Sequence, residues 1–196
     1  MNHPKAIVHL DRLARNYKVL SNSVYGKRLM AVVKANAYGH GAIECSKKLE
    51  DQGCNFFSVF TVEEAEELRN AGLKSDILIL SKLEKESIQT AIDNDLIVNI
   101  SSIDDLDSII FHLEKNGLSP RFHMKIETGM NRLGFDLSDI SLAIGKLLDY
   151  KNLNCEGIYT HYATSDEGDL SYAHLQLERF EQALEIANEM GYTFCL

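Results

Sequence analysis

MAVVKANAYGHG, residues 30–41, sets a lysine directly after an apolar run and follows it with a glycine-punctuated turn. Ala31, Val32 and Val33 offer no polar face, so the run reads as a buried strand, and Gly39 and Gly41 mark the turn beyond it. Lys34 therefore stands where a strand ends and a helix is due. A lysine kept from water there presents a nucleophilic amine able to form a Schiff base. Equally, its stem can lie along the strand while its ammonium reaches solvent. Spacing alone leaves both readings open.

Similar apolar runs recur outward from this one. They are LMAVVK (29–34), FFSVF (56–60), ILIL (77–80), LIVNI (96–100), FHMKI (122–126) and GIYTH (157–161). Near-continuous rather than alternating, they suit strands of a parallel sheet buried on both faces. Helical patterns with readable ends lie between them. Thr61 and Glu64 form a capping box, with Gly72 at the helix end. Ser102 caps a helix whose Ile103, Leu106, Ile110 and Leu113 share a face before Gly117. The last helix spans about residues 171–190, and an early one starts near Asp11, after AIVHL (6–10), which reads as an extra strand. Strand and helix alternate six times from residue 29, which predicts an α/β fold with right-handed crossovers. No G-x-G-x-x-G follows the first strand, so a dinucleotide-binding sheet has no direct support. A (β/α)8 barrel normally takes about 250 residues. About six of its eight units fit here, so the sheet is either open or an unfinished barrel.

Composition narrows the function classes. The 196 residues are 45% hydrophobic and 25% charged, with a net charge of −9 and no basic cluster. Such a field repels phosphate backbones and anionic lipid surfaces, which excludes nucleic acid and membrane as expected partners. No apolar run approaches the roughly 20 residues of a membrane span, and the N-terminus lacks a basic and apolar leader pattern. Cys45, Cys54, Cys155 and Cys195 are scattered, as in a cytoplasmic protein with reduced thiols. No His or Cys spacing predicts a metal site. The acidic segments VEEAEEL (62–68) and IDDLD (103–107) read as solvated helix faces, and no carboxylate pair stands out for hydrolysis.

In a parallel α/β fold, ligands gather where strands end. The residues so placed are Lys34, Asn36, Tyr38 and His40 after the first run, Lys125 and Glu127 with Arg132 after the fifth, and Tyr159, His161 and Tyr162 at the sixth. Tyr38 is either a phosphate donor or a packed aromatic, and Arg132 either an anion holder or a surface arginine. His161 either stacks on a planar ring or is a satisfied core histidine. Lys125 and Arg132 are close in sequence and are expected to face one another, which would call for an anion between them.

Taken together, AVVKANAYGHG (31–41), KIETGMNRLGF (125–135) and YTHYATSDE (159–167) resemble three motifs of the bacterial alanine racemases, in the family's order and at similar separations. These enzymes depend on pyridoxal 5′-phosphate (PLP), and the resemblance runs from AIVHLDRLARNY to GYTF. It implies a PLP-binding (β/α)8-type TIM barrel, here incomplete. It implies that Lys34 bonds PLP covalently and acts as the base on the D-alanine side. By the same resemblance Tyr38 donates to the cofactor phosphate, Arg132 contacts the phenolic oxygen and the substrate carboxylate, and His161 lies against the pyridine ring. Lys125 matches a position carbamylated in some members, which would set an anion beside Arg132. The implied activity is interconversion of L- and D-alanine in a cytoplasmic homodimer, supplying D-alanine for peptidoglycan.

The family pattern also contains parts not matched here. A second, β-rich domain brings an opposite-face tyrosine from the partner subunit, and two further barrel strands bring a serine to the phosphate and an arginine to the pyridine nitrogen. Residues 1–196 are thus expected to be an N-terminal barrel-like domain, apparently truncated, whose residues 1–10 would pair with the missing domain. Weak or absent activity in isolation is the expectation, with dimerisation or altered closure covering the exposed strands. The alternatives are a non-catalytic PLP-binding protein concerned with cofactor handling and an inactive remnant. A cofactor-free Schiff-base aldolase leaves the Tyr38 motif unexplained.

Overall fold

The computed structural model describes residues 6–194. Strands and helices alternate along them as an α/β chain with six strands, the number expected. The described residues divide into two compact units, 6–81 with 93–96 and 82–92 with 97–194.

The first unit contains α1 (Leu10–Ser23), β1 (Ala31–Val32), α2 (Lys34–Gly39), α3 (Ala42–Glu50), β2 (Phe56–Val59) and α4 (Val62–Asn70), and most of β3 (Asp76–Lys82). Its strands are parallel, with Ala31 opposite Phe57 and Phe57 opposite Ile77. Phe57, Ser58, Val59, Ile77, Leu78 and Ile79 are all buried, so consecutive residues on both faces leave water. That explains the continuous apolar runs. The capping box forms: Thr61 Oγ1 accepts from Glu64 N at 3.3 Å, and Gly72 follows the helix at φ +95°. Two expectations change here. Residues 6–9 join no strand and Leu10 opens α1, because an extended segment becomes a strand only when a neighbour shares its backbone hydrogen bonds. Residues 1–5 of that segment lie outside the described residues. β1 is two residues long rather than six, since the chain leaves the ladder at Lys34.

The second unit holds a 3₁₀ turn (Lys85–Ser87), α5 (Ile88–Asp93), β4 (Ile97–Ile100), α6 (Ile103–Asn116), β5 (Arg121–Lys125), α7 (Leu137–Asp149), β6 (Asn154–Tyr159) and α8 (Ser171–Glu189). β4, β5 and β6 are parallel neighbours, with Asn99 opposite His123 and Lys125 opposite Tyr159. The caps of α6 are as expected. Ser102 Oγ accepts from Asp105 N, and Gly117 closes the helix in the left-handed region. IDDLD is not wholly solvated, however. Asp105 is 7% exposed, accepts from Ser101 N and Oγ at 3.1 and 2.9 Å, and pairs with Lys82 Nζ at 2.9 Å. A buried carboxylate persists where such partners replace water.

Candidate active site

Lys34 opens a segment with the opposite hand to every ordinary helix. Ala35, Asn36, Ala37 and Tyr38 have φ between 51° and 55°, one turn of left-handed helix with no glycine among the four. For L-residues this conformation costs roughly 1–2 kcal/mol each, so surrounding contacts must impose it. Val33 N still donates to Ser58 O at 2.8 Å, as the ladder's last bond, and Ala37 N returns to Val33 O at 2.8 Å. Asn36 Oδ1 takes the N–H of Ala42 at 2.8 Å, at the start of α3. Ala35 N donates to Glu64 Oε1 at 2.6 Å, while Glu64 Oε2 accepts from Phe60 N at 2.7 Å and Thr61 N at 3.3 Å. One acidic residue of VEEAEEL is therefore a backbone clamp, not part of a solvated face.

This turn sets Lys34 and Tyr38 on one rigid piece of backbone. Lys34 is half-buried, with Nζ 5.9 Å from the centre of the Phe60 ring, a weak cation–π distance. Tyr38 is 61% exposed. Tyr38 borders a largely apolar cavity of about 560 Å³ lined also by Val8, Leu13, Tyr17, Val32 and Val33.

The other candidates belong to the second unit. Lys125 ends β5 and is 8% exposed, with Nζ 5.8 Å from the Tyr159 ring centre. Tyr159 donates its hydroxyl to Asn99 Oδ1 at 2.8 Å, and burial pushes its phenol up, so it stays neutral. Buried Asn99 and Lys125 thus flank the half-buried Tyr159 in the sheet, and the Asn99 side-chain nitrogen finds no hydrogen-bond partner among the described residues.

Past Lys125 the chain makes a tight loop. Phe135 N donates to Lys125 O at 2.8 Å and Glu127 N to Phe135 O at 3.0 Å. Inside the loop the Glu127 carboxylate accepts from Gly129 N and from Arg132 N. Burial raises the Glu127 pKa, but the N–H groups of Asn131, Gly129, Arg132 and Met130 outweigh it, so the net shift is downward. Arg132 is exposed while Lys125 is buried.

α8 ties this loop to the end of β6. Tyr172, Gln176 and Arg179 lie at i, i+4 and i+7, on one helix face. Tyr172 donates to Gly129 O at 2.8 Å, and Arg179 Nη1 to Thr128 O at 2.9 Å. Gln176, fully buried, donates to Thr128 Oγ1 at 3.1 Å and His161 O at 3.0 Å, and accepts from Ala163 N at 2.8 Å. His161 lies two residues past the strand, with its carbonyl fixed and its residue exposed.

Lys34 and Tyr38 are thereby joined on one turn, and Arg132 and His161 on two loops under one helix. Sequence reasoning named Glu127 at a strand end without giving it a role, missed Gln176, and saw Glu64 only as a helix cap. The capping box was a signal for Glu64; a polar residue within α8 gave none for Gln176. Among the described residues no group of three or more His, Cys, Asp or Glu is placed to hold a metal, and no helix is long and apolar enough to cross a membrane.

The family model of the alanine racemase N-terminal domain matches residues 8–195. Among curated proteins, alanine racemase of Methanococcus maripaludis is 37% identical over 97% of this chain and 52% of its own length. Alanine racemase 1 of Bacillus subtilis is 40% identical over 80% of this chain and 40% of its own. Among solved structures, alanine racemase from E. faecalis aligns with a TM-score of 0.85 at 35% identity, covering 91% of this chain and 49% of that one. The Bacillus anthracis enzyme, solved with bound L-Ala-P, aligns with a TM-score of 0.87 at 29% identity, covering 97% and 51%. The chain spans about half the length of the curated relatives it matches. Through that N-terminal domain, it belongs to the alanine racemase family.

Proposed function

We propose that this chain holds PLP through Lys34 and serves the interconversion of L- and D-alanine. The observation that carries the reading is the left-handed turn at residues 35–38, which fixes a half-buried lysine and a tyrosine on one piece of backbone. Backbone strain of this kind is typical of functional sites. The donors of each unit suit PLP by their chemistry: in the first, a primary amine for its aldehyde and a phenol for its phosphate; in the second, by the resemblance, a guanidinium for its phenolic oxygen and an imidazole for its flat ring. The unpartnered nitrogen of Asn99, beside Tyr159 and Lys125, further suits a polar occupant.

Bound PLP draws electron density from the amino acid and makes its Cα proton removable. Lys34 would hold the cofactor and, when its Nζ is a free amine, would take that proton on one face and return it there in the reverse direction. Tyr38 donates its hydroxyl to the phosphate. Arg132, its backbone set by Glu127, orients the substrate carboxylate with a planar fork of donors. His161, its main chain held by Gln176, would offer its imidazole to the ring. Lys125, if carbamylated, changes from a buried cation to an anion.

The resemblance assigns the opposite-face proton donor to a tyrosine outside the matched N-terminal domain. Turnover by these residues alone is therefore expected to be weak, and a homodimer is the proposed assembly. A cytoplasmic setting is supported by the free thiols of Cys45, Cys54 and Cys155. Borohydride reduction in the presence of PLP, followed by peptide mapping, tests the reading. Saturable labelling of Lys34 supports it, and labelling scattered over surface lysines overturns it. Formation of D-alanine from L-alanine then separates a racemase from a protein that only binds the cofactor.

A further inference from the structure

We infer that Glu64 is a positioning residue for Lys34, with a carboxylate that clamps the left-handed turn and the Phe60 backbone together. The inference rests on the reading of Lys34 as the residue that holds PLP. Oε1 takes the N–H of Ala35, the residue after Lys34, at 2.6 Å. Oε2 takes the N–H of Phe60 at 2.7 Å, and the Phe60 ring lies 5.9 Å from Lys34 Nζ. One side chain thus fixes the backbone from which Lys34 projects and the ring its amine faces.

Helix capping does not explain this geometry. A capping box works with either Glu or Gln, because one acceptor oxygen reaching back to the N-cap suffices. Here both oxygens of Glu64 face N–H donors, on segments 29 and 4 residues away. A glutamine would satisfy one side and turn its NH2 toward the other, leaving two donors opposed. The carboxylate is needed for the Lys34 turn and dispensable for α4.

The test compares Glu64→Gln with Thr61→Ala, which breaks the other arm of the same box and leaves both carboxylate contacts. Three readouts are taken: helix content, hydrogen exchange of the Ala35 amide in the cofactor-free chain, and the share of PLP–borohydride label on Lys34. In Glu64→Gln the Ala35 amide should exchange at least about tenfold faster, as expected when a charge-assisted hydrogen bond is lost, with helix content retained. The Lys34 share of the label should fall by a similar factor of about ten. Thr61→Ala should leave both readouts near wild type. Should Glu64→Gln fail to fold, Glu64→Asp keeps the charge on a shorter arm and should lose the Ala35 contact. Wild-type exchange and labelling in the glutamine variant would overturn the inference. Equal loss in Thr61→Ala would reduce Glu64 to a helix cap and overturn it too. Scattered labelling in the wild-type chain would instead overturn the Lys34 reading, so the two failures are told apart.

Discussion

The turn that carries Lys34 and the loops that carry Arg132 and His161 are held by different means. In the first, four strained residues are pinned by backbone N–H groups that end on Val33, Asn36 and one carboxylate, Glu64. In the second, a buried amide, Gln176, reaches two loops at once, and Tyr172 and Arg179 add their own bonds to the loop backbone. Strain is the cost in the turn; desolvation of polar groups is the cost in the loops. The two sites should therefore fail differently. Relieving the backbone should help the turn, whereas removing a polar partner should harm the loops.

The sharpest way to break this contrast is Gly134→Ala. Gly134 has φ +145°, and a Cβ there would lie 2.4 Å from Glu127 N and 2.7 Å from the Ile126 carbonyl carbon. Both neighbours are main chain and cannot swing aside, so a loss of about 3–5 kcal/mol is expected in denaturant titration. Gln176→Ala comes next. It removes the acceptor of the Ala163 N–H and one donor to the His161 carbonyl and should cost about 2–4 kcal/mol. Amide exchange should quicken at residues 127–135 and 160–163 together. Quickening confined to one loop would show that the amide does not couple them.

Acid should act on the Arg132 loop as well. Glu127 has a folded-state pKa below its ordinary 4.5, so its contribution is complete above that value. It is lost as pH falls through the folded value, and exchange at Gly129 and Arg132 should rise only there. The smallest effect, of opposite sign, is expected from Ala35→Gly. It keeps the N–H that Glu64 accepts and removes a Cβ from a left-handed residue. Glycine gives back part of the gain through the unfolded chain, so a rise of about 0.5–1 kcal/mol is expected in thermal or denaturant unfolding. A loss there would mean the turn is not strained, and the contrast would fall.

The same contrast explains what the sequence reveals. The strands were legible because burial on both faces writes a continuous apolar run, as in ILIL and LIVNI. The caps at Thr61, Ser102 and Gly117 were legible because their signal is local. The hand of the Lys34 turn was not. Ala35 and Ala37 favour right-handed helix strongly, and only Asn36 leans the other way. The conformation comes from Glu64, 29 residues on. Gln176 was hidden for a related reason: a polar residue in a helix reads as solvated until the groups it bonds are seen. Asp105 misled in the same way, since its partners Ser101 and Lys82 lie outside the acidic segment that suggested a wet face.

The left-handed turn also has a stereochemical consequence. The backbone angles of residues 35–38 are the mirror image of an ordinary right-handed turn, and this left-handed form is the one D-amino acids prefer. A chain assembled by chemical ligation with D-alanine at the exposed position 35 would meet its own backbone preference there, with the N–H to Glu64 kept. An enantiomeric building block that disrupts most helices would lock this one.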